Sequence, residues 1–247
     1  MHLLADITGL TAPAAACGVA WAGVFAHGTF VPASTVWGPV VSRASGDGPP
    51  QVALTFDGGP APDSSGRVLD ALGELGVPAA FFVVGRDAER FPALVDRMHG
   101  EGHVVGNRGW DRHPLGLFRD RSYWSAQIRR TDTLIEQVIG RRPAMFRPPA
   151  GVKTWHLMSA AGRAGHTVVT WSRRLDGGAA PDAARGDVIS VRVGGGASAE
   201  SAVRSLVNSL VEQGLSPRRL DAVLGIAAYH VPRQPATARP APLRRAA

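Results

Sequence analysis

The stretch QVALTFDGGP, residues 51–60, decides the fold. It begins as a short run of residues that favour β-structure and ends in the turn-forming sequence DGGP. A helical pattern follows over residues 64–75, where Val68, Leu69, Leu72 and Leu75 share one face. A buried strand, a turn and an amphipathic helix in this order predict the first unit of a parallel sheet with crossover helices.

The same alternation continues along the chain. We predict further strands at 78–84, 103–105, 144–147, 167–171 and 188–193, and further helices at 91–100, 124–139, 155–164 and 199–213. Repeated strand–helix units imply parallel strands, and their number suits a closed or nearly closed barrel. The predicted fold class is therefore α/β, in the form of a distorted (β/α) barrel.

The two ends of the chain fall outside this alternation. Residues 1–42 form an apolar N-terminal segment, residues 43–50 are predicted to be a linker, residues 51–230 to be the folded domain, and residues 231–247 to be a mobile tail rich in Pro, Ala and Arg. Because about 20 apolar residues can cross a bilayer, residues 7–26 predict a membrane anchor or uncleaved signal, and hence a location in the cell envelope. A loosely structured leader is the alternative, since the stretch is only weakly hydrophobic.

Charge and cysteine content exclude some functions. The net charge is +7, and the only lysine is Lys153, so nearly all the positive charge is arginine. The basic residues are not interleaved with aromatic residues, and no zinc-finger spacing is present, so nucleic acid is not an expected partner. The single cysteine, Cys17, excludes an intrachain disulfide.

Four segments lie at the ends of predicted strands, where (β/α) barrels carry their functional groups. They are TFDGGP (55–60), GHVVGNRGWDRHP (102–114), FRPPAG (146–151) and GDVISVRVGGG (186–196). Two further segments, PAAFFVVGRDAERFP (78–92) and IGRRPAMFRPP (139–149), extend the pattern. In this order and spacing, over residues 51–225, the sequence resembles the polysaccharide deacetylases, which carry a NodB-homology domain and form family 4 of the carbohydrate esterases.

The resemblance implies metal-dependent hydrolysis of N-acetyl groups on a cell-wall or chitin-type polysaccharide. In that family a divalent metal, usually zinc, is held by one Asp and two His, another Asp is the base, and a later His is the acid. Asp57 matches the base, and Arg147 matches the arginine that orients it. The positions of the metal ligands and of the acid hold Gly58, Arg108, Arg112 and Arg192, in that order.

These replacements bear on catalysis. Arginine stays protonated in proteins and cannot donate an electron pair to a metal. We therefore expect no metal cofactor and weakened or lost catalysis. An active hydrolase that uses His113 and Asp57 is an alternative, because His113 lies next to Arg112. His103 is predicted to be a packed structural residue.

The arginines have a second interpretation. If Arg108, Arg112, Arg192 and Arg147 converge around Asp57, they would bind a phosphate or carboxylate. The protein would then be a non-catalytic module for N-acetylated or acidic polysaccharide, with Pro149 and Trp171 also contacting the substrate. A disused cleft whose arginines point to solvent is the alternative.

A fourth motif of the family is reduced to WSRRLDGG, residues 171–178, in which only Trp171 and Asp176 are recognisable. Ala150 stands where an aromatic residue is common. Tryptophan side chains could line a sugar cleft, although core packing explains most of them. We expect one or two of four tryptophans to face the cleft: Trp110, Trp124, Trp155 and Trp171.

Overall fold

The structure, a computed structural model, describes residues 7–111, 116–175, 182–192 and 198–231. Arg112, His113, Asp176 and nearly all of the predicted tail lie outside these ranges. The strands are β1 (Gln51–Asp57), β2 (Ala80–Val83), β3 (Val104–Asn107), β4 (Met145–Phe146), β5 (Thr167–Val168), β6 (Arg173–Leu175), β7 (Val188–Val191) and β8 (Ser216–Pro217). The helices are α1 (Ile7–Phe30), α2 (Pro62–Leu75), α3 (Gly85–Arg90), α4 (Pro92–Gly100), α5 (Arg121–Ile139), α6 (Trp155–Arg163), α7 (Ser198–Glu212) and α8 (Leu220–Leu224).

The strands form one sheet in the order β5-β4-β3-β2-β1-β7-β6, and β8 pairs with β1 outside this path. Every strand pairing among the described residues is parallel. Crossover helices connect most of the neighbouring strands. Together the parallel strands and their helices form a half-barrel. This architecture confirms the predicted fold class.

Each strand and helix predicted for residues 51–213 is present, with bounds shifted by a few residues. The prediction omitted β6, β8, α3 and α8. Strand β6 has the sequence RRL and β8 has the sequence SP, so neither is long or apolar enough to give a periodic signal. The two omitted helices span only six and five residues.

Side chains alternate along β1, and this alternation places the site. Val52, Leu54 and Phe56 belong to a buried cluster that includes residues of α2 and α7. Residues at odd positions point to the opposite face of the sheet, where Ala53 and Thr55 are small and fully buried. Small side chains on this inner face leave room for a long side chain from another strand.

Among the α1 residues whose side chains the structure describes, 17–30, burial against the domain is confined to the C-terminal end. Residues 17–27 are exposed, whereas Thr29 is fully buried. Beyond the helix, Val41 forms a parallel bridge with Val169, and Arg43 pairs with Asp187. Residues ahead of Gln51 therefore pack on the domain, while the proposed division into segment, linker and domain stays a prediction.

Within the described ranges, none of the helices combines the length and the apolar character needed for a membrane crossing.

Candidate functional site

The candidate site lies at the carboxyl edge of the sheet, where Asp57 ends β1. A cavity of about 770 Å³ opens there. Its lining comes from the ends of several strands and from the loops that follow them, as in other (β/α) folds. Asp57, Gly58, Arg108, Pro149, Trp171 and Arg192 are among the residues that line it.

Among the described residues, three side chains contact the Asp57 carboxylate. Arg147 donates from Nη1 to Oδ1 at 3.0 Å, and Arg108 Nη1 lies 2.8 Å from the same oxygen. Ser190, on β7, donates its hydroxyl to Oδ2 at 2.9 Å. Two cations and a hydroxyl therefore surround one carboxylate.

Arg147 is fully buried on the inner face of the sheet. Its Nε donates to the Val169 carbonyl at 3.1 Å and its Nη2 to the Thr170 carbonyl at 2.8 Å. Its Nη1 also donates to Thr55 Oγ1 at 2.7 Å, and the guanidinium carbon lies 4.0 Å from the centre of the Phe82 ring. These contacts fix the guanidinium, so it holds the carboxylate in one place.

The surroundings of Asp57 determine its ionisation. Burial opposes the charged form, but the charges of Arg147 and Arg108, and hydrogen bonds from Arg147 and Ser190, outweigh it and hold the pKa of Asp57 below its ordinary value. Asp57 is therefore ionised near neutral pH. A lowered pKa also makes the carboxylate a weaker base, since proton affinity falls with pKa.

Arg108 is positioned by the residue before it. Asn107 is fully buried at the end of β3, and its side-chain amide donates to Asp132 Oδ1 at 2.7 Å. Its side-chain oxygen accepts from the Gly109 amide at 2.7 Å, and the Arg108 amide donates to the Val83 carbonyl at 3.0 Å. The turn after β3 thus points the Arg108 side chain toward β1 and Asp57.

The described residues do not fit the family's zinc site. Gly58 offers no side-chain donor, and its φ of 94° lies in a region that side-chain-bearing residues rarely adopt. The Arg108 guanidinium, a cation, occupies space beside Asp57. In the part of the chain that the structure describes, no group of three or more His, Cys, Asp or Glu is arranged to hold a metal ion. Absence of a metal cofactor in the whole chain stays a prediction.

The structure brings together some of the predicted site residues. Asp57, Arg108 and Arg147 are in direct contact. Arg192 directly follows β7, is exposed, and lines the same cavity as Pro149 and Trp171.

The other histidine and tryptophan predictions can also be placed. His103 is buried and its Nδ1 accepts from the Ala79 amide at 3.2 Å, which agrees with a structural role. Trp124 and Trp171 line the cavity. Trp110 is buried elsewhere, and Trp155 is exposed.

Sequence reasoning missed four contributors to the site. Thr55 links Arg147 to β7, because its hydroxyl donates to the Ile189 carbonyl at 2.9 Å. Ser190 could have been found from the alternation of β7, which puts it two residues before Arg192 on the same face. Arg174 lies 5.4 Å from the centre of the Trp171 ring, and Phe30 comes from α1; both line the cavity. No local signal indicates either of them.

The structure is a parallel half-barrel with an Asp–Arg pair at the carboxyl edge of its sheet, where (β/α) folds carry their functional groups. Residues 44–169 match the polysaccharide deacetylase family, and the chain belongs to it. This match confirms the resemblance inferred from the motifs.

Individual relatives agree with this assignment. The chain is 35% identical over 122 residues to a peptidoglycan-N-acetylglucosamine deacetylase of Bacillus cereus, covering 49% of this chain and 44% of the relative. It is 35% identical over 129 residues to a chitooligosaccharide deacetylase of Sinorhizobium fredii, covering 52% and 60%. The chain thus spans about half the length of these curated relatives. A crystal structure of a peptidoglycan N-acetylglucosamine deacetylase superimposes with a TM-score of 0.70 at 25% identity, covering 77% of this chain and 95% of the other.

Proposed function

We propose that this protein binds N-acetylated polysaccharide in the cleft at the carboxyl edge of its sheet, and that its ability to deacetylate that polymer is weakened or lost. The names of two relatives support the substrate class, since they act on peptidoglycan and chitooligosaccharide. The contact between Arg108 and Asp57 supports the loss of catalysis, because a cation stands against the carboxylate that matches the base.

Magnitudes favour this proposal over a metal-free hydrolase. A zinc site lowers the pKa of its bound water by several units, to about 7. One pKa unit corresponds to about 1.4 kcal/mol, so ionising the water without the metal costs on the order of 10 kcal/mol more. Asp57 alone is a poor substitute for zinc in activating water. Its lowered pKa makes it a weaker base, and a weaker base removes a proton less readily.

Metal analysis and acetate release test the loss of catalysis together. The purified chain is expected to hold well under one zinc per molecule after dialysis against zinc. It is also expected to release acetate from penta-N-acetylchitopentaose no faster than a blank. Stoichiometric zinc combined with acetate release would contradict the proposal and favour the alternative that uses His113 with Asp57.

Restoring the family residues provides a matched gain-of-function test. The variant combines Gly58→Asp, Arg108→His, Arg112→His and Arg192→His. We expect it to gain zinc and measurable acetate release, with Arg90→Gln as a control that alters charge away from the cleft. A folded quadruple variant that binds zinc but releases no acetate would show that the scaffold has lost more than these four residues.

A second candidate is the binding of an acidic polysaccharide. Arg108, Arg174 and Arg192 line the cavity together, whereas Asp57 is the one acidic residue among the described residues lining it. Guanidinium groups bind carboxylates through paired hydrogen bonds, so a uronic acid polymer suits this lining.

Salt dependence separates the two candidates. Binding of an acidic polymer, with polygalacturonate as the probe, should weaken steeply between 50 and 500 mM salt. Binding of penta-N-acetylchitopentaose should change little. The double variant Arg174→Gln and Arg192→Gln should lose polygalacturonate binding, and unchanged binding by this variant would eliminate the acidic polymer.

We also propose that the protein acts in the cell envelope, where such polysaccharides occur. Residues 7–42 contain no Asp, Glu, Lys or Arg. In cells, the proposal requires that protease added outside the cytoplasmic membrane digests the protein. Protection until the membrane is broken would contradict it.

A further inference from the structure

Residues 29–41, here called the strap, connect α1 to the sheet. At one end, the Lys153 amide donates to the Thr29 carbonyl at 3.0 Å. At the other end, the Val41 amide donates to the Val168 carbonyl at 2.9 Å, and the Thr170 amide donates to the Val41 carbonyl at 2.9 Å. The strap therefore extends the sheet beside β5 and is part of the folded domain.

The Lys153 side chain fastens the strap near its beginning. Its side chain is fully buried, and Nζ donates to the Val31 carbonyl at 2.6 Å and the Pro32 carbonyl at 2.9 Å. Thr170 Oγ1 donates to the same Pro32 carbonyl at 3.1 Å. Burial lowers the pKa of Lys153 to about 8.

The choice of lysine at this position is informative. The chain has 27 basic residues of Lys and Arg, and Lys153 is the one lysine among them. A compact ammonium can donate to two neighbouring carbonyls in a small space, whereas a planar guanidinium needs more room. The contact is therefore specific to lysine and is not one more basic surface group.

The strap begins next to the cleft. Phe30 is the last residue of α1, and 57% of its surface is exposed. It lines the same cavity as Asp57, Pro149 and Trp171, and the neighbours of Lys153, Val152 and Thr154, line it too. An exposed aromatic ring beside the cleft offers a flat apolar surface to a ligand.

We propose that Phe30 forms part of the saccharide-binding wall of the cleft, and that Lys153 keeps it there by fastening the strap. The identity of the ligand as a saccharide rests on the proposed function. The fastening of the strap by Lys153 does not depend on it. It makes the segment ahead of Gln51 a component of the binding site.

Binding of penta-N-acetylchitopentaose to the full chain, measured by calorimetry, tests the role of Phe30. Phe30→Ala is expected to raise Kd about fivefold to tenfold, within the usual range for truncating a contacting aromatic residue. Trp21→Ala is the matched control, because Trp21 is an exposed aromatic residue of the same helix outside the cavity lining. It should bind as the unmodified chain does.

Lys153 is tested by coupling. Lys153→Met should weaken binding as much as Phe30→Ala, and the double variant should bind no more weakly than either single variant, because both remove the same contact. Lys153→Arg should not rescue binding. Additive losses would contradict the fastening role.

A chemical measurement tests the strap without a saccharide. Because the chain has one lysine, mass analysis of the peptide that contains residue 153 reports acylation of that amine alone. We expect acylation at least tenfold slower than in the urea-unfolded chain, and faster in Thr170→Val. Equal acylation rates in the folded and unfolded chains would contradict the proposal that the strap covers the Lys153 amine.

The outcomes distinguish the two proposals. If the unmodified chain binds no pentasaccharide, the proposed function fails, and the role of Phe30 fails with it. If the unmodified chain and Phe30→Ala bind equally, only the role of Phe30 fails.

Discussion

The inner and outer sides of the Asp57 carboxylate are built differently. On the inner side, Arg147 is fully buried and held by two carbonyls and a threonine hydroxyl. On the outer side, Arg108 reaches the same oxygen from the cavity, and Gly58 contributes no side chain. In the predicted correspondence with the family motifs, the inner side holds the expected residues, whereas Gly58, Arg108 and Arg192 stand where other residues are expected.

This contrast shows why the presence of Asp57 is weak support for catalysis. A buried guanidinium is costly unless it is paired, so Arg147 requires the Asp57 carboxylate whether or not a reaction occurs. Arg108 is buried less deeply, with 12% of its side chain exposed, and Arg192 is exposed, so these outer residues depend less on the carboxylate. Stability alone therefore favours the pair of Asp57 and Arg147, whether or not the cleft binds a metal.

The largest expected effect comes from breaking the inner pair. Asp57→Ala should lower the free energy of unfolding by about 3 kcal/mol, because it leaves a buried charge without its partner. Urea denaturation at pH 7 measures this loss. Asp57→Asn, which keeps a hydrogen-bond acceptor, should lose less.

A double variant tests whether the loss in Asp57→Ala comes from the unpaired charge of Arg147. Combining Asp57→Ala with Arg147→Met removes both charges, and it should recover part of the stability lost in Asp57→Ala alone. A loss below about 0.5 kcal/mol in Asp57→Ala would mean that the inner pair has no structural role.

A smaller effect is expected on the outer side, at Gly58. Because φ is 94°, Gly58→Ala should lower the free energy of unfolding by about 1–2 kcal/mol. Gly73→Ala is the control, since Gly73 lies in α2 with open space around it and should gain about 0.5–1 kcal/mol. Equal effects would show that the backbone at Gly58 is not strained by a side chain. The same strain would accompany Gly58→Asp in the quadruple variant.

The inner side was largely predictable from the sequence, and the outer side only in part. The motifs around Asp57 and Arg147 lie at strand ends, and strands of a parallel sheet converge there, so their contact follows from the fold. The ion pair of Arg108 with Asp57 depends on the turn fixed by Asn107, which the local pattern does not reveal. Phe30 belongs to a segment that the sequence predicts to be separate from the domain. The segment is held to the domain mainly through its backbone carbonyls, and such contacts leave no signal in the sequence.

The smallest expected effect concerns pH and the outer ion pair. The pKa of Asp57 is lowered in the folded protein, partly by the charge of Arg108, so this contribution to stability is present above the unfolded pKa of about 3.9. It is lost as pH falls through the folded pKa, because a protonated carboxyl no longer attracts the guanidinium. Arg108→Gln should therefore cost about 1 kcal/mol at pH 6, and less at pH 3.

Urea denaturation of the unmodified chain and of Arg108→Gln between pH 3 and pH 7 gives the difference between their free energies of unfolding. Titration of the other carboxylates affects both proteins alike and cancels in this difference. Arg90→Gln is the control, since it also removes one positive charge but its guanidinium lies over the Phe91 ring, 5.4 Å from the ring centre. The difference for Arg90→Gln should be small and nearly independent of pH. If the difference for Arg108→Gln instead grew as the pH fell, the guanidinium would not be stabilising the charged form of Asp57. Arg108 would then make no stabilising interaction with the carboxylate that Arg147 requires.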